Sequence, residues 1–162
     1  MKYSFLFLLL SFSFYSFAQP AVETVNWLGF EEAVKLQKKN PKQGIIIDFY
    51  TVWCGPCRMM DRTTFSNPEI AKYINENFYA VKFNAEGNDV VKFKGTTYTN
   101  NNYDPARARG RNGTHSLTLF HSIPGYPTVV IYNRDVNATK KIVGYKTAAQ
   151  MLPIIKGENN TP

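Results

Sequence analysis

Cysteine is scarce in this chain, with two residues among 162. A scaffold held by several disulfides is therefore excluded, and so is a structural zinc site with four cysteine ligands. Charged residues make up only 19% of the chain and hydrophobic residues 44%, which excludes a fully disordered chain and is enough to fill one core. The length fits a single domain, because domains most often run to about 100–150 residues.

Long runs of basic residues are also missing. The formal net charge is +7, but the lysines and arginines are spread along most of the chain, and no base-stacking motif accompanies them. The charge could favour acidic partners. We do not expect this protein to bind nucleic acid.

One long apolar stretch is present, and it lies at the N-terminus. Lys2 supplies a positive charge, residues 3–17 are almost wholly apolar apart from serines, and the small residues Ser16 and Ala18 stand two apart. This pattern predicts a secretory signal peptide. The alternative is a membrane anchor, but spanning a bilayer takes about 20 apolar residues and this stretch is shorter.

Cleavage after Ala18 would release a chain that works in the periplasm or after secretion, in a compartment where disulfides form and persist. The predicted organisation is then a signal over residues 1–18, one domain over residues 19–156, and a loose tail over residues 157–162.

Periodicity and capping residues predict alternating helices and strands. A continuous apolar run from Ile45 to Tyr50, with one acid in it, is typical of a strand buried on both faces of a sheet. The predicted order is a helix over 27–39, a strand over 45–50, helices over 54–62 and from 66, a strand over 79–84, strands over 128–132 and 140–145, and a helix over 147–155. Ser66 is the predicted capping residue of the third helix and Thr147 that of the last. This order predicts an α/β layer sandwich with a mixed sheet.

The two cysteines lie three positions apart, at the predicted junction between a strand and a helix. Cys54 at a helix N-terminus would face unpaired N–H groups, which lower the pKa of a thiol and favour the reactive thiolate. Cys57, one turn later, could resolve a mixed disulfide by attacking the sulfur of Cys54. Pro56 would preorganise the first turn of the helix.

Two other interpretations of this pair stay open. The cysteines could form half of a zinc site with His115 and His121, although these histidines have a poor spacing for that purpose. The pair could also be an inert structural disulfide, although so small a ring stabilises little.

The segment from Asp48 to Cys57, with its Trp-Cys-Gly-Pro-Cys motif at residues 53–57, resembles the active site of thioredoxins. Residues 125–128, Gly-Tyr-Pro-Thr, resemble the cis-proline loop of that family, and Val143-Gly144 resembles a segment bordering the same site. The resemblance implies a thioredoxin fold, a three-layer α/β/α sandwich with a mixed central sheet. It also implies dithiol chemistry that needs no cofactor besides the cysteine pair and no metal.

A second segment narrows the resemblance. Residues 64–69, Thr-Phe-Ser-Asn-Pro-Glu, resemble the stretch that follows the cysteine helix in secreted or periplasmic thioredoxin-like proteins and in the C-terminal domain of DsbD-type interchange proteins. The chain does not resemble the membrane-tethered cytochrome-maturation reductases, which usually carry an acidic residue and a proline soon after the second cysteine, where this chain has Arg58-Met59-Met60-Asp61.

The resemblance also implies roles for individual residues. Cys54 is the nucleophile and Cys57 the resolving thiol. Asp48, a buried acid whose pKa should rise, is expected to shuttle the proton of Cys57, and Lys82 on the neighbouring strand is the alternative partner of its charge. Both interpretations can hold together.

Further residues are expected to support this pair. Trp53 is interpreted as a rigid platform beside Cys54, with Gly55 next to Pro56 in the first turn. Pro127 is predicted to be cis, so that the backbone of Tyr126, beside Gly125, could pair with a client peptide. Thioredoxins usually carry a small or aliphatic residue at the position of Tyr126.

The connection from residue 85 to residue 122 is oversized for this fold, and we place an insertion at about residues 86–113, between strand 79–84 and the cis-proline loop. Because neighbouring parallel strands end at the same edge of a sheet, we expect it to rim the active site. The candidate client contacts are Tyr98, Tyr103, Arg107, Arg109 and Arg111. The alternative is a solvated insertion on a tolerant surface.

The sequence therefore predicts a monomeric thiol–disulfide oxidoreductase that exchanges the Cys54–Cys57 pair with disulfides of client proteins. The Cys-Gly-Pro-Cys motif suggests a reducing potential, nearer the roughly −270 mV of thioredoxin than the roughly −120 mV of DsbA. A reductase would need a separate electron donor, such as a membrane thiol relay. The alternative is a client-binding module with little turnover.

Overall fold

The computed structural model describes residues 23–41 and 43–157. The predicted signal over residues 1–18 and the tail beyond Gly157 lie outside the described residues. The strands are β1 (Trp27–Leu28), β2 (Gly44–Tyr50), β3 (Phe78–Asn84), β4 (Val91–Phe93), β5 (Thr96–Tyr98), β6 (Thr128–Tyr132) and β7 (Ala138–Val143). The helices are α1 (Phe30–Lys39), α2 (Gly55–Met60), α3 (Pro68–Asn77), α4 (Ser116–Phe120) and α5 (Ala148–Lys156), with a π-helical turn at Asp61–Phe65 and a 3₁₀ turn at Pro105–Arg107.

Five strands form one mixed sheet in the order β1-β3-β2-β6-β7. β1, β3 and β2 run parallel, β6 is antiparallel to β2, and β7 is antiparallel to β6. β2 therefore has a strand on each side, and its register places Asp48 opposite Lys82 of β3 and Val129 of β6. This central position explains why its sequence is a continuous apolar run.

Side chains of β2 alternate between two cores, one on each face of the sheet. Ile45, Ile47 and Phe49 join the core that contains residues of α1 and α4, whereas Ile46 joins the core that contains residues of α2, α3 and α5. Helices thus cover both faces, and the predicted three-layer α/β/α sandwich is confirmed. By the same alternation Asp48 points to the face of Ile46, which is the side of α2.

The boundaries of three predicted elements are wrong, and for the two strands the reason is pairing with another strand of the sheet. Trp27 and Leu28 do not begin α1 but form β1, since they pair with Ala80 and Val81 of β3. β7 lies two residues earlier than predicted, in register with β6. α3 is capped by the side chain of Asn67, which accepts bonds from two backbone N–H groups, and not by Ser66.

The helix predicted over residues 54–62 changes type part-way. α2 ends at Met60, and the chain continues as the π-helical turn over Asp61–Phe65. Such turns insert an extra residue per turn and so change which side chains face the sheet. Here the turn follows α2 directly and buries Thr64 and Phe65.

The first part of the insertion is a β-hairpin formed by β4 and β5. Its turn residues Lys94 and Gly95 both have positive φ, as a tight two-residue hairpin turn requires. Val91, Phe93 and Tyr98 of the hairpin are buried in the core on the α1 face. The prediction that Tyr98 contacts a client is therefore wrong, because its side chain is only 8% exposed.

None of the described helices is both long enough and apolar enough to cross a membrane.

Candidate active site

The two cysteines lie just beyond the C-terminal end of β2, where they form a disulfide with an S–S distance of 2.07 Å. Cys54 is the N-cap of α2, and its Sγ accepts a hydrogen bond from the backbone N–H of Cys57 at 3.1 Å. Each cysteine is only 2% exposed. The backbone donor aims at the sulfur on which negative charge would develop, which favours the thiolate of Cys54.

Gly55 and Pro56 separate the cysteines and form the exposed start of α2. The ring of Pro56 fixes φ where the backbone has no intrahelical acceptor for an N–H, so the helix loses no bond there. Their contribution is to hold the first turn in the geometry that brings Cys57 back to Cys54.

Asp48 is a buried carboxyl with one satisfied oxygen. Its Oδ2 accepts from Lys82 Nζ at 3.3 Å, while Oδ1 has no hydrogen-bond partner among the described residues, and the residue is 1% exposed. Burial raises the pKa of Asp48 to about 6, against the opposing effect of the Lys82 cation. Both interpretations of Asp48 are thus compatible with its surroundings.

Lys82 is shared between two carboxylates. Its Nζ also contacts the carboxylate of Asp61, at the start of the π-helical turn, and it lies 5.1 Å from the ring centroid of Trp27 and 5.2 Å from that of Tyr50. Asp61 adds negative charge that further raises the pKa of Asp48. We did not single out Asp61 from the sequence, although it stands four positions after Cys57, the spacing of one helical turn.

Trp53 is held on two sides. Its indole N–H donates to Glu86 Oε2 at 2.8 Å, and its ring meets the ring of Tyr126 edge to face at a centroid distance of 6.0 Å. The side chain is half-buried. These contacts fit the predicted platform beside Cys54, and Glu86 is a partner that sequence reasoning missed.

The far end of the insertion also reaches this platform. The guanidinium of Arg111 lies over the ring of Trp53 at 4.0 Å from the centroid. The backbone N–H of Asn112 donates to Glu86 Oε2 at 2.9 Å. The same carboxylate oxygen, on the first residue of the insertion, therefore accepts from both the Trp53 indole and the far end of the insertion. In contrast, Tyr103, Arg107 and Arg109 make neither a ring–ring contact nor a cation–π contact with Trp53 in the described part of the chain.

The Tyr126–Pro127 peptide bond is cis. Thr128 Oγ1 donates to the carbonyl of Gly125 at 2.7 Å, and the N–H of Gly144 donates to the carbonyl of Pro127 at 2.8 Å. Burial, together with the charge of Glu86, raises the pKa of Tyr126. Gly125, Tyr126 and Pro127 thus belong to a braced loop beside Trp53.

The two histidines lie in other parts of the fold. His115 caps α4 by accepting from the N–H of Leu117, and His121 makes hydrogen bonds to Tyr132 and to the carbonyl of Leu117. Among residues 23–41 and 43–157 no group of three or more His, Cys, Asp or Glu side chains is placed to hold a metal ion.

The family model of a thioredoxin-like domain matches residues 30–157, most of the chain. The chain belongs to the thioredoxin-like family. A thioredoxin from Griffithsia pacifica is 36% identical over 52 residues, which is 32% of this chain and 45% of that protein, so the match spans less than half of the relative's length.

Two solved structures share the thioredoxin-like fold at low identity. A DsbH oxidoreductase is 14% identical, with 86% of this chain and 88% of that chain covered and a TM-score of 0.57. The oxidised C-terminal domain of DsbD from Neisseria meningitidis is 18% identical, with 81% and 97% covered and a TM-score of 0.53. Together with the Cys54–Cys57 disulfide, family membership makes this site similar to that of thioredoxin-fold disulfide oxidoreductases.

Proposed function

We propose that this protein reduces disulfides of client proteins outside the cytosol. The observation that carries the proposal is the Cys54–Cys57 pair, closed as a disulfide at a helix start with the N–H of Cys57 directed at Cys54 Sγ. A braced loop with Tyr126 before a cis proline lies beside the platform of Trp53. Membership in the thioredoxin-like family supports the same chemistry.

The reaction consists of two exchanges. The thiolate of Cys54 attacks one sulfur of a client disulfide, so that a Cys54–client bond forms, the client's own S–S bond breaks, and its second sulfur leaves and takes up a proton. The thiolate of Cys57 then attacks the sulfur of Cys54. The Cys54–Cys57 bond forms, the mixed disulfide breaks, and the first client sulfur leaves and is protonated, which completes the transfer of two electrons to the client.

Asp48 is the proposed proton carrier for the second exchange. A pKa of about 6 lets this carboxyl gain and lose a proton near neutral pH, as a general base for Cys57 requires. The strand alternation directs it to the side of α2, the helix that contains Cys57. Lys82 lowers the free-energy cost of the ionised form of Asp48, because it donates to one of the two carboxyl oxygens.

The Cys54–Cys57 disulfide of a reductase must be reduced again after every turnover. The donor must be a dithiol protein that returns two electrons to the Cys54–Cys57 disulfide by the same exchange in reverse, and a membrane thiol relay is the class we propose. The Cys-Gly-Pro-Cys motif supports a potential near about −270 mV.

The location follows from the predicted signal. If residues 1–18 direct export, the protein recovered outside the cytosol begins at Gln19, which N-terminal sequencing would detect. Recovery of the chain with Met1 in the cytosolic fraction would contradict the location while leaving the chemistry intact.

Insulin reduction tests the chemistry directly. We expect the wild type to catalyse reduction by dithiothreitol and the Cys54→Ser variant to have no activity above the uncatalysed rate, because Cys57 alone cannot form the internal disulfide that releases the reduced client. A wild type without turnover would instead favour the client-binding module. Equilibration with glutathione then gives the potential, and a value near about −120 mV would contradict the reductase direction.

A further inference from the structure

Arg111 has an unusual position for an arginine in an insertion. Its guanidinium is fixed over the ring of the residue before the nucleophile, at 4.0 Å from the Trp53 centroid, although the side chain remains exposed. Cation–π contact of this kind orients the planar group without neutralising its charge. The insertion thus places a positive charge against Trp53, the residue that precedes Cys54.

The backbone that carries Arg111 is held firmly. Asn100 donates through its side-chain amide to the carbonyls of Gly87 at 2.9 Å and Gly113 at 2.6 Å, which ties the two ends of the insertion together. Asn112 exchanges side-chain bonds with the backbone of Asp104, and its own N–H is held by Glu86. Arg111 is therefore presented from a cross-linked frame and not from a loose loop.

A second guanidinium contacts the same segment. Arg58 Nη1 donates to the carbonyl of Val52 at 3.0 Å. Each of the two residues before Cys54 therefore contacts an arginine: Val52 contacts Arg58, and Trp53 contacts Arg111. Both arginines are exposed, and within the described residues the two ion pairs that form both belong to Lys82. The nearby carboxylate of Glu86 is buried and accepts from Trp53 and Asn112 instead.

Access to the nucleophile runs past these side chains. Cys54 is only 2% exposed in the disulfide form, so a client or donor that reaches its sulfur must approach over neighbouring side chains. We define the rim as Val52 and Trp53, which precede Cys54 in the chain, together with Arg111 and Tyr126, which contact Trp53. A disulfide with acidic neighbours would meet complementary charge on this rim, whereas one with basic neighbours would meet like charge.

We propose that Arg111, assisted by Arg58, selects client disulfides that are flanked by acidic residues. This inference rests on the proposed reductase function and adds the class of client to it. Arg111 is a specificity-determining residue in this proposal and takes no part in the exchange of electrons.

The test uses reduced full-length protein after export and three peptides that differ only in the residues beside one disulfide: Glu, Gln or Lys. Second-order rate constants for the first exchange are measured at low salt. We expect the Glu peptide to react about fivefold faster than the Lys peptide, the range of one exposed charge pair, and the difference to shrink near about 1 M salt. In Arg111→Glu the order of the Glu and Lys peptides should reverse.

Two variants separate selection from other effects. Lys72→Glu makes the same change of charge at an exposed position in the middle of α3, away from the rim, and should keep the order of the wild type. Arg111→Lys keeps the charge and should retain the preference for Glu, although it loses the planar stacking group.

Each contrary result has a distinct meaning. Equal slowing of all three peptides in Arg111→Glu would overturn the proposal, because Arg111 would then act through the position of Trp53. The same reversal in Lys72→Glu would also overturn it, since the field of the whole chain would be responsible. If no peptide reacts with the wild type, the reductase function itself is contradicted. If all three peptides react with the wild type at the same rate, that function is retained but the proposed selection by charge is contradicted.

Discussion

The Cys54–Cys57 segment and the insertion over residues 86–113 meet at Trp53, yet they are built in different ways. The cysteine segment is organised by its neighbours in sequence, through the cap at Cys54, Pro56 in the first turn and the bond from Cys57 N–H. The insertion is organised by contacts between its own residues that lie far apart in sequence, such as Glu86 with Asn112 and Asn100 with Gly87 and Gly113. The chemistry is thus encoded locally, and its surroundings are encoded at a distance.

The largest effect expected from either region is the loss of turnover in Cys57→Ser. Without a resolving thiol the mixed disulfide between Cys54 and the client cannot be released internally, so insulin reduction should fall by about 10³-fold or more. Mass spectrometry should detect the trapped client on the protein. Cys54→Ser is the matched control and should trap nothing.

An outcome in which Cys57→Ser turns over at the wild-type rate would remove the division of roles between the cysteines. An outcome in which Cys54→Ser traps the client would exchange those roles. Either result would mean that the cap geometry at Cys54 does not identify the nucleophile, so that the local sequence would not encode the chemistry.

Phe93→Ala probes the part of the insertion that joins the core. Phe93 is 2% exposed and meets the rings of Phe30 and Tyr132 edge to face, at centroid distances of 5.4 and 5.3 Å. Its truncation should lower the free energy of unfolding by about 3–5 kcal/mol, measured by urea denaturation. Phe120→Ala is the control at a ring that is 50% exposed, with an expected loss of about 1 kcal/mol.

Equal losses in the two variants would mean that the hairpin is a surface element, as the solvated alternative holds. In either case the oxidised protein should keep its disulfide, because neither phenylalanine contacts the cysteine pair among the described contacts.

Asp48→Asn tests a site that depends on both local and distant contacts. The local sequence of β2 positions Asp48, and Lys82 of β3, far away in sequence, donates to its carboxylate. Its pKa is raised from 3.8 to about 6, so the folded state holds the proton more tightly than the unfolded state. The resulting stabilisation is complete below about pH 4 and is lost as the pH rises through about 6, up to about 3 kcal/mol in all.

The oxidised wild type should therefore lose stability between about pH 4 and 7 relative to Asp48→Asn, and at pH 7 the variant should be the more stable protein. Urea denaturation of both across this range measures the difference. If the stability of the wild type instead rises with pH relative to that of the variant, the Lys82 cation outweighs burial and the pKa of Asp48 is lowered.

The sequence allowed good prediction at several places where neighbouring residues decide the structure. The buried strand β2, the helix start at Cys54 and the cap of Thr147 on α5 follow from short patterns, and the structure has each of them. The family resemblance added the three-layer architecture. Glu86 and Asp61 were missed because nothing in their own neighbourhoods indicates the partners Trp53 and Lys82, which lie 33 and 21 positions away.

The insertion shows the same limit in one element. Its rim position was expected from the way parallel strands end at one edge, and Arg111 does contact Trp53. Which residues of the insertion turn inward was not predictable, because Tyr98 and Arg111 occur in similarly polar stretches. The turn at Lys94-Gly95 decides this by folding β4 and β5 onto the core.

The smallest effect concerns the frame of the insertion, through Asn100→Ala. Asn100 is buried, and its amide satisfies two carbonyls that would otherwise be left without this donor. Its removal should cost about 1–3 kcal/mol in unfolding and should loosen the chain around Asn112. Asn101→Ala, at the exposed neighbouring position, is the control and should change stability by about 0.5 kcal/mol or less.

Hydrogen exchange of the Asn112 amide gives the sharper measurement, because this N–H is held by Glu86 at the point where the insertion meets the active site. Faster exchange in Asn100→Ala than in Asn101→Ala would mean that a contact far from the cysteines fixes the position of Arg111. Unchanged exchange would mean that the bond to Glu86, which also holds Trp53 of the cysteine segment, restrains Asn112 without help from Asn100.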